Sequence, residues 1–399
     1  MSPLRVVVRG FVLPLHSPLA TAHGAIESRS GFLIEVEDEG GVRGFGEATP
    51  LPAFGTEDLA ACRRGLEEGA ARIADASSLD DDEVWRDLPW SKVSHDVSLD
   101  PLESATKTPC ADFALSTALA DLSSRRDGCS LPVFLHAQSG FRGDVAESVA
   151  SQVLIGGRSP EEVHARAREA AGAGFDAFKL KLAVDPSSRD LDLDIERVAA
   201  LREVVGEDAR IRLDANEAWS VAEAARAFGA LSAFSIDYIE QPVAASDLLG
   251  LRWLSENGEI AVAADEALLG AGLRACLAQR AAEILVVKPA AIGSFAVCRA
   301  LIQRAREDGL RLVWSTLIDG AVGRNAAIAL AAAFGPADEV HGLGTAGLLS
   351  ADFLNEPESP RAGRLYCQRG PGLGFDPDIH AELAAPQGQE SLASFEVDP

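Results

Sequence analysis

From about residue 150 onward, short runs rich in Val, Ile and Leu alternate with alanine-rich amphipathic stretches. The apolar period switches between two and 3.6 each time, which predicts strands alternating with helices. The strands read as SQVLIGG, AFKLKLA, RIRLDAN, SIDYIEQP, IAVAADE, ILVVKPA, RLVWST and VHGLGT. The helices between them include SPEEVHARAREAAGAG, DIERVAALREVVG, VAEAARAFGALSA, LRACLAQRAA, FAVCRALIQRARED and GRNAAIALAAAFG. Several of these stretches close on glycine, which tolerates the left-handed turn of a helix stop. Eight strands with seven intervening helices predict an α/β fold, a TIM-type (β/α) barrel modified in its last unit. A doubly wound open sheet is the alternative, but no glycine-rich loop opens its first helix.

Residues 1–105 follow another pattern. RVVVRGFVLPL and GFLIEVEDEGGVRGFGEA read as strands, DEGG as a hairpin turn, and Glu57 through Ala74 as a helix, together an α+β domain. The segment SLDDDEVWRDLPWSKVSHDVSLDPLESATK follows, and the helix ADFALSTALADLSSR leads into a barrel assigned to residues 106–347. Residues 348–399 form a C-terminal segment, rich in Pro and Gly at first, in which RAGRLYCQRGPGLG is expected to pair back onto the first domain.

At 399 residues and 47% hydrophobic, the chain can bury a barrel of about 250 residues and a second domain. A formal charge of −25 argues against nucleic acid or an anionic membrane as partner. The acids are scattered through helices and loops and read as a solvated surface. No apolar stretch approaches about 18 uninterrupted residues, and MSPLRVVVRGFVLPLHSP lacks the plan of a secretory signal, so a cytoplasmic location is expected. The six cysteines fall in no metal-binding or paired spacing and are expected to be free thiols.

Asp214, Glu240 and Asp265 each close an apolar run, at intervals of 26 and 25 residues. That interval is one βα unit, so the three acids can converge at one end of a barrel and hold a divalent cation. Only five lysines occur, and Lys179, Lys181 and Lys288 all sit in the flanking strands. Apolar neighbours and a nearby cation are expected to depress a lysine pKa far enough for it to act as a base near neutral pH. Alternation along a strand puts Lys179 and Lys181 on one face, and Arg212, Asp214 and Asn216 on another. Glu266, next to Asp265, is expected to point away or to pair with a lysine. Glu47 is read as a hydrogen-bonding anchor, and His23 and His341 as structural.

These residues resemble the enolase superfamily and, within it, the o-succinylbenzoate synthases of menaquinone biosynthesis. GFGEATPLPAFGTEDL is similar to that family's Gly-Glu-Pro-Leu-Pro loop and TAHGAIESRSGFLIEV to its other capping loop. The FKLKL lysines, LDAN, the IEQP glutamate, the ADE aspartate and the VVKP lysine stand in family order. The resemblance implies that the first domain, completed by the tail, caps the barrel, with loops around Thr21–Ser30 and Thr49–Gly55 closing its mouth. It implies Mg²⁺, or Mn²⁺ in its place, on Asp214, Glu240 and Asp265. Lys181 would be the base that removes a proton α to a carboxylate, with Lys288 stabilising charge opposite and Lys179 nearby. Arg212, Asn216, Ser315, Thr316 and Gly344 would bind substrate or support the site.

The seventh strand carries no histidine, which sets mandelate-racemase-like members aside. The eighth, VHGLGTAGLL, carries neither the acidic pair with which a dipeptide epimerase would grip an ammonium group nor the acid of a muconate cycloisomerase. The reading is thus a metal-dependent lyase dehydrating 2-succinyl-6-hydroxy-2,4-cyclohexadiene-1-carboxylate, a small-molecule carboxylate. The alternatives are an N-succinylamino acid racemase, another two-lysine member of the superfamily, and, more distantly, a non-catalytic binding barrel. Oligomeric state is not legible.

Overall fold

The computed structural model describes residues 4–21, 24–75, 102, 106–183, 190–336, 338–378, 383 and 390–398. The acidic segment from Ser78 therefore lies outside the described residues, save Leu102, Thr106 and Lys107.

The first sheet is antiparallel, its strands in the order Phe395–Val397, Arg5–Thr21, Gly24–Glu37 and Arg43–Ala48. Strands β1 (Arg5–Thr21) and β2 (Gly24–Glu37) form one long hairpin, with a register shift between Pro14 and Leu19. The stretch expected as a capping loop near Thr21–Ser30 is thus largely an extension of this hairpin. Strand β3 (Arg43–Ala48) pairs with β2, and the helix Pro109–Arg126 lies across it. Gly44 and Gly46 make that approach possible, because a Cβ at either would overlap the helix carbonyls of Ala118 and Ala114.

Seven parallel strands form the second sheet in sequence order: β5 (Val153–Ile155), β6 (Ala177–Lys181), β7 (Arg210–Asp214), β8 (Ile236–Glu240), β9 (Val262–Ala264), β10 (Ile284–Val287) and β11 (Arg311–Trp314). Their outward residues, such as Phe178, Leu180, Ile211, Leu213 and Ile239, are buried in the main core. Ser159, Asp190, Ser220 and Asp247 cap the helices Pro160–Gly172, Leu191–Val205, Val221–Leu231 and Leu248–Asn257, Ser220 in a full capping box with Glu223. The ring closes through a short eighth strand, β12 (Val340–His341), which lies parallel to β4 (Ser148–Ser151), the stretch just ahead of β5. A Ser315–Gly342 bridge joins β11 to this strand, and a single 3₁₀ turn, Ala346–Leu348, follows it in place of a full helix. Among the described residues no helix is long and apolar enough to cross a membrane.

The tail departs from expectation. β13 (Arg364–Tyr366), within RAGRLYCQRGPGLG, pairs with β4 on the barrel wall, and it is β14 (Phe395–Val397) that returns to β1. β4 has β12 on one side only, so β13 covers an edge that would otherwise be left unpaired.

Candidate active site at the barrel mouth

Parallel register sets Lys181 beside Asp214 and Asp214 beside Glu240 at the carboxyl ends of β6, β7 and β8. Lys179, one inward position deeper, forms an ion pair with Asp214 Oδ2 at 2.8 Å and donates to Glu240 Oε1 at 2.7 Å. Lys288, just past β10, forms an ion pair with Asp265, just past the neighbouring β9. Among the described residues Lys181 makes no ion pair of the kind that ties the other two lysines, and it is half-buried on β6.

Two of the three lysines are electrostatically bound to the acids. Burial lowers the pKa of Lys179, but Asp214 and Glu240 outweigh it and hold the lysine well above its usual value. Lys288 is raised in the same way, burial being outweighed by Asp265. Burial pushes the Glu240 carboxyl up to about 8, opposed by Lys179 and reinforced by Asp214 and Asp265.

Glu266 lies in the site rather than pointing away. It opens a 3₁₀ turn after β9, where strand alternation no longer applies, and its Oε1 accepts from Asn216 Nδ2 at 3.2 Å. Burial, then Asp265 and Asp214, push its carboxyl up to about 7. Asn216 also donates its backbone N–H to Asp214 Oδ1 at 3.0 Å.

In this arrangement no three acids among the described residues are disposed to hold one metal ion, because lysine ammonium groups engage Asp214, Glu240 and Asp265. The donor set nevertheless fits a hard divalent cation. Glu240 Oε2 and Glu266 Oε2 are buried without a hydrogen-bond partner, and such carboxylate oxygens are the ligands Mg²⁺ and Mn²⁺ prefer.

Arg212 lies in a deeper layer than the three acids. Fully buried, it donates to Asp237 Oδ2 (2.9 Å), Glu339 Oε1 (2.8 Å), Gln152 Oε1 (3.0 Å) and Val340 O (2.7 Å), and Arg311 joins the same acids. This ionic plug joins β7, β8, β11 and β12 below the mouth. His341 accepts from Trp314 N at 3.2 Å beside it, and burial and Arg212 push its pKa down to about 3. His23 lies outside the described residues.

At the ends of β11 and β12, Thr316 Oγ1 and Thr345 Oγ1 are 3.0 Å apart, and Ser315 Oγ donates to Gly342 O at 3.4 Å. Gly344 is exposed, and a Cβ there would press on Pro360 and Ser151. Two contributors went unread in the sequence. Leu154, the register partner of Lys179 and so on the inward face of β5, is 54% exposed and gives the mouth an apolar wall. Gln241 is buried, and its Oε1 accepts from the N–H groups of Asp265 (3.0 Å) and Ala267 (3.1 Å), fixing the turn that carries the third acid. The IEQP motif was the available signal. Ala183, Asn216, Glu217, Gln241 and Ile318, all just past strand ends, have positive φ between 39° and 64°. Such strain gathers where function over-determines the backbone.

The first domain reaches the mouth on two sides. Phe54, in the PLPAFG loop, has its ring centroid 5.9 Å from Lys288 Nζ, and Gly55 packs on Leu269. After β12, the hairpin meets the end of the barrel through a Leu15–Leu349 bridge and a Ser350 N to Pro14 O hydrogen bond of 2.8 Å. Phe54→Ala should raise KM by about tenfold while changing kcat less, since it removes a contact over the site but no reacting group. Steady-state kinetics check this, and an unmoved KM would show that the loop does not form part of the site.

Glu47 anchors the two domains. It accepts from Thr49 Oγ1 (2.6 Å), Gly320 N (2.6 Å) and Gly323 N (2.8 Å). Burial, then Asp319, push its carboxyl up to about 7 from an ordinary 4.5. A raised folded-state pKa contributes stability that is present below the ordinary value and lost as pH rises through the raised one. Denaturation of wild type between about pH 5 and 8 should therefore show roughly 3 kcal/mol of falling stability that Glu47→Gln lacks, and equal slopes would contradict the assignment.

A family model described as "Enolase C-terminal domain-like" matches residues 162–381. The o-succinylbenzoate synthase of Thermobifida fusca is 32% identical over 265 residues, 66% of this chain and 75% of that protein. A hydrophobic dipeptide epimerase of Enterococcus faecalis is 29% identical over 267 residues, 67% of this chain and 68% of the relative. The crystal structure of the Enterococcus faecalis dipeptide epimerase with Mg and L-Leu-L-Tyr superposes with a TM-score of 0.76 at 25% identity, covering 94% of this chain and 99% of that one. The chain belongs to the enolase superfamily, in its mandelate racemase/muconate lactonizing branch. Its fold is the enolase type, an antiparallel capping sheet on a parallel barrel.

Proposed function

We propose that this enzyme is an o-succinylbenzoate synthase. The observation that carries the reading is the position of Lys181, at the carboxyl end of β6 beside Asp214 and, among the described residues, in no ion pair. A base so placed suits a syn elimination, in which one amine takes the proton and assists the leaving hydroxide. A divalent cation held by Asp214, Glu240 and Asp265 would supply the positive charge that makes a proton α to a carboxylate removable.

Lys181 takes that proton from the ring carbon bearing the carboxylate. Its ammonium then assists departure of the ring hydroxyl, so that proton and hydroxide leave as water and the ring becomes aromatic. Lys288, opposite and under Phe54, stabilises negative charge without taking a proton. Leu154 and Phe54 offer apolar surface to a ring, and Ser315, Thr316 and the backbone at Gly344 offer hydrogen bonds to the succinyl carboxylate. Similarity to the T. fusca synthase supports the same reading.

The similarity to dipeptide epimerases favours a second reading, in which Lys181 and Lys288 exchange protons on opposite faces. Against it, β12 and the residues just after it present Gly342, Gly344 and Thr345 rather than acids to a substrate's ammonium group. Incubating L-Ala-L-Glu and hydrophobic dipeptides with enzyme and Mg²⁺ in deuterated water tests this. Negligible α-deuteration supports the synthase, whereas rapid deuteration would establish the epimerase.

A further inference from the structure

The loop after β11 begins with Ser315 and Thr316, yet side chains of the other domain hold its backbone. Arg29, on β2 and 3% exposed, donates through Nε to Leu317 O at 3.0 Å. Its other nitrogens donate to Pro50 O at 3.2 Å and Thr49 O at 2.5 Å, where the PLPAFG loop starts. Glu47, on β3, takes the N–H groups of Gly320 and Gly323 a few residues further along the same barrel loop. Two buried charged side chains of the cap thus grip residues 317–323 from one side. Within the loop, Asp319 Oδ2 accepts from Leu317 N at 3.0 Å and Thr316 Oγ1 from Ile318 N at 3.1 Å.

Ile318 stands at φ 60°, the left-handed region a β-branched residue avoids. Such a residue persists only where its surroundings over-determine it. Simple cohesion between domains would not require strain at this point. The strained residue is two positions from Thr316, and the hydroxyl of Thr316 is itself one of the restraints.

We infer that Arg29 and Glu47 are positioning residues for the reaction, which set Thr316 and the start of the PLPAFG loop as one unit so that cap and barrel read the substrate's distal end together. The inference rests on the proposed reading that Thr316 faces that end. Neither side chain touches the reacting atoms, so the effect belongs in substrate binding rather than in proton abstraction.

The test is a set of double-mutant cycles on purified enzyme with Mg²⁺, using whichever α-acidic carboxylate wild type turns over. Arg29→Lys keeps the charge but cannot reach three carbonyls, Glu47→Gln is isosteric, and Thr316→Val removes the hydroxyl. Each single variant should raise KM about tenfold with kcat within about threefold, and either cap variant combined with Thr316→Val should be little worse than the worse single, because all three act through one loop. Fully multiplicative KM effects, or a folded Arg29→Lys and Glu47→Gln with wild-type KM, would overturn the inference. Should Arg29→Lys fail to fold, the Glu47→Gln cycle decides alone. If wild type racemises instead of dehydrating, the functional reading fails while the cycle is still read on the racemised substrate.

Discussion

Lys181→Ala should abolish dehydration and α-proton exchange together, lowering kcat by at least about a thousandfold, the scale on which a positioned general base acts. The expectation follows from position. Lys181 ends β6 beside Asp214, whereas Lys179 lies one inward position deeper on the same strand and Lys288 follows β10, four strands away in the sheet, so neither stands where the missing amine stood. Lys288→Ala should behave differently, slowing dehydration by loss of charge stabilisation while proton abstraction by Lys181 persists. Product formation and solvent deuterium incorporation, measured on both variants, separate the roles. Dehydration surviving nearly intact in Lys181→Ala would remove the base from the account.

The second large effect concerns the carboxylates. Chelation should eliminate activity, and Mg²⁺ or Mn²⁺ should restore it. The same site should be visible without turnover. An ion at about a hundredfold excess over its Kd adds roughly 2.7 kcal/mol to a fold that binds it, so wild type should melt several degrees higher with saturating Mg²⁺. Glu240→Gln should lose that response, because the substitution removes one of the convergent charges and leaves Lys179 with Asp214 alone. Full activity in excess chelator, or an equal melting shift in Glu240→Gln, would contradict the assignment of the acids.

Much of this site could be read from the chain because strand period and unit length are local quantities. Acids at intervals of 26 and 25 residues each end a strand, and register then sets Asp214 beside Glu240. What could not be read depends on partners far apart in sequence. Alternation gives the face of Arg212 but not its depth, which is fixed by Asp237, Glu339 and Gln152. Burial pushes the pKa values of Lys179 and Lys288 down, and the carboxylates that push them up stand on other strands. Glu47 reads as an anchor from its loop, but its acceptor role for Gly320 and Gly323 appears only once the domains meet. The tail could be seen to return, yet which of its strands pairs where depends on distant partners: β13 takes the edge of β4 that β12 leaves open, and β14 takes the edge of β1.

The most direct measurement is a paired assay of the purified protein with Mg²⁺ in deuterated water, offered 2-succinyl-6-hydroxy-2,4-cyclohexadiene-1-carboxylate in one arm and an N-succinylamino acid in the other. The account predicts rapid formation of aromatic o-succinylbenzoate in the first arm, lost on chelation, and slower α-deuteration in the second. Rapid racemisation of the N-succinylamino acid with no aromatic product from the cyclohexadiene would contradict it.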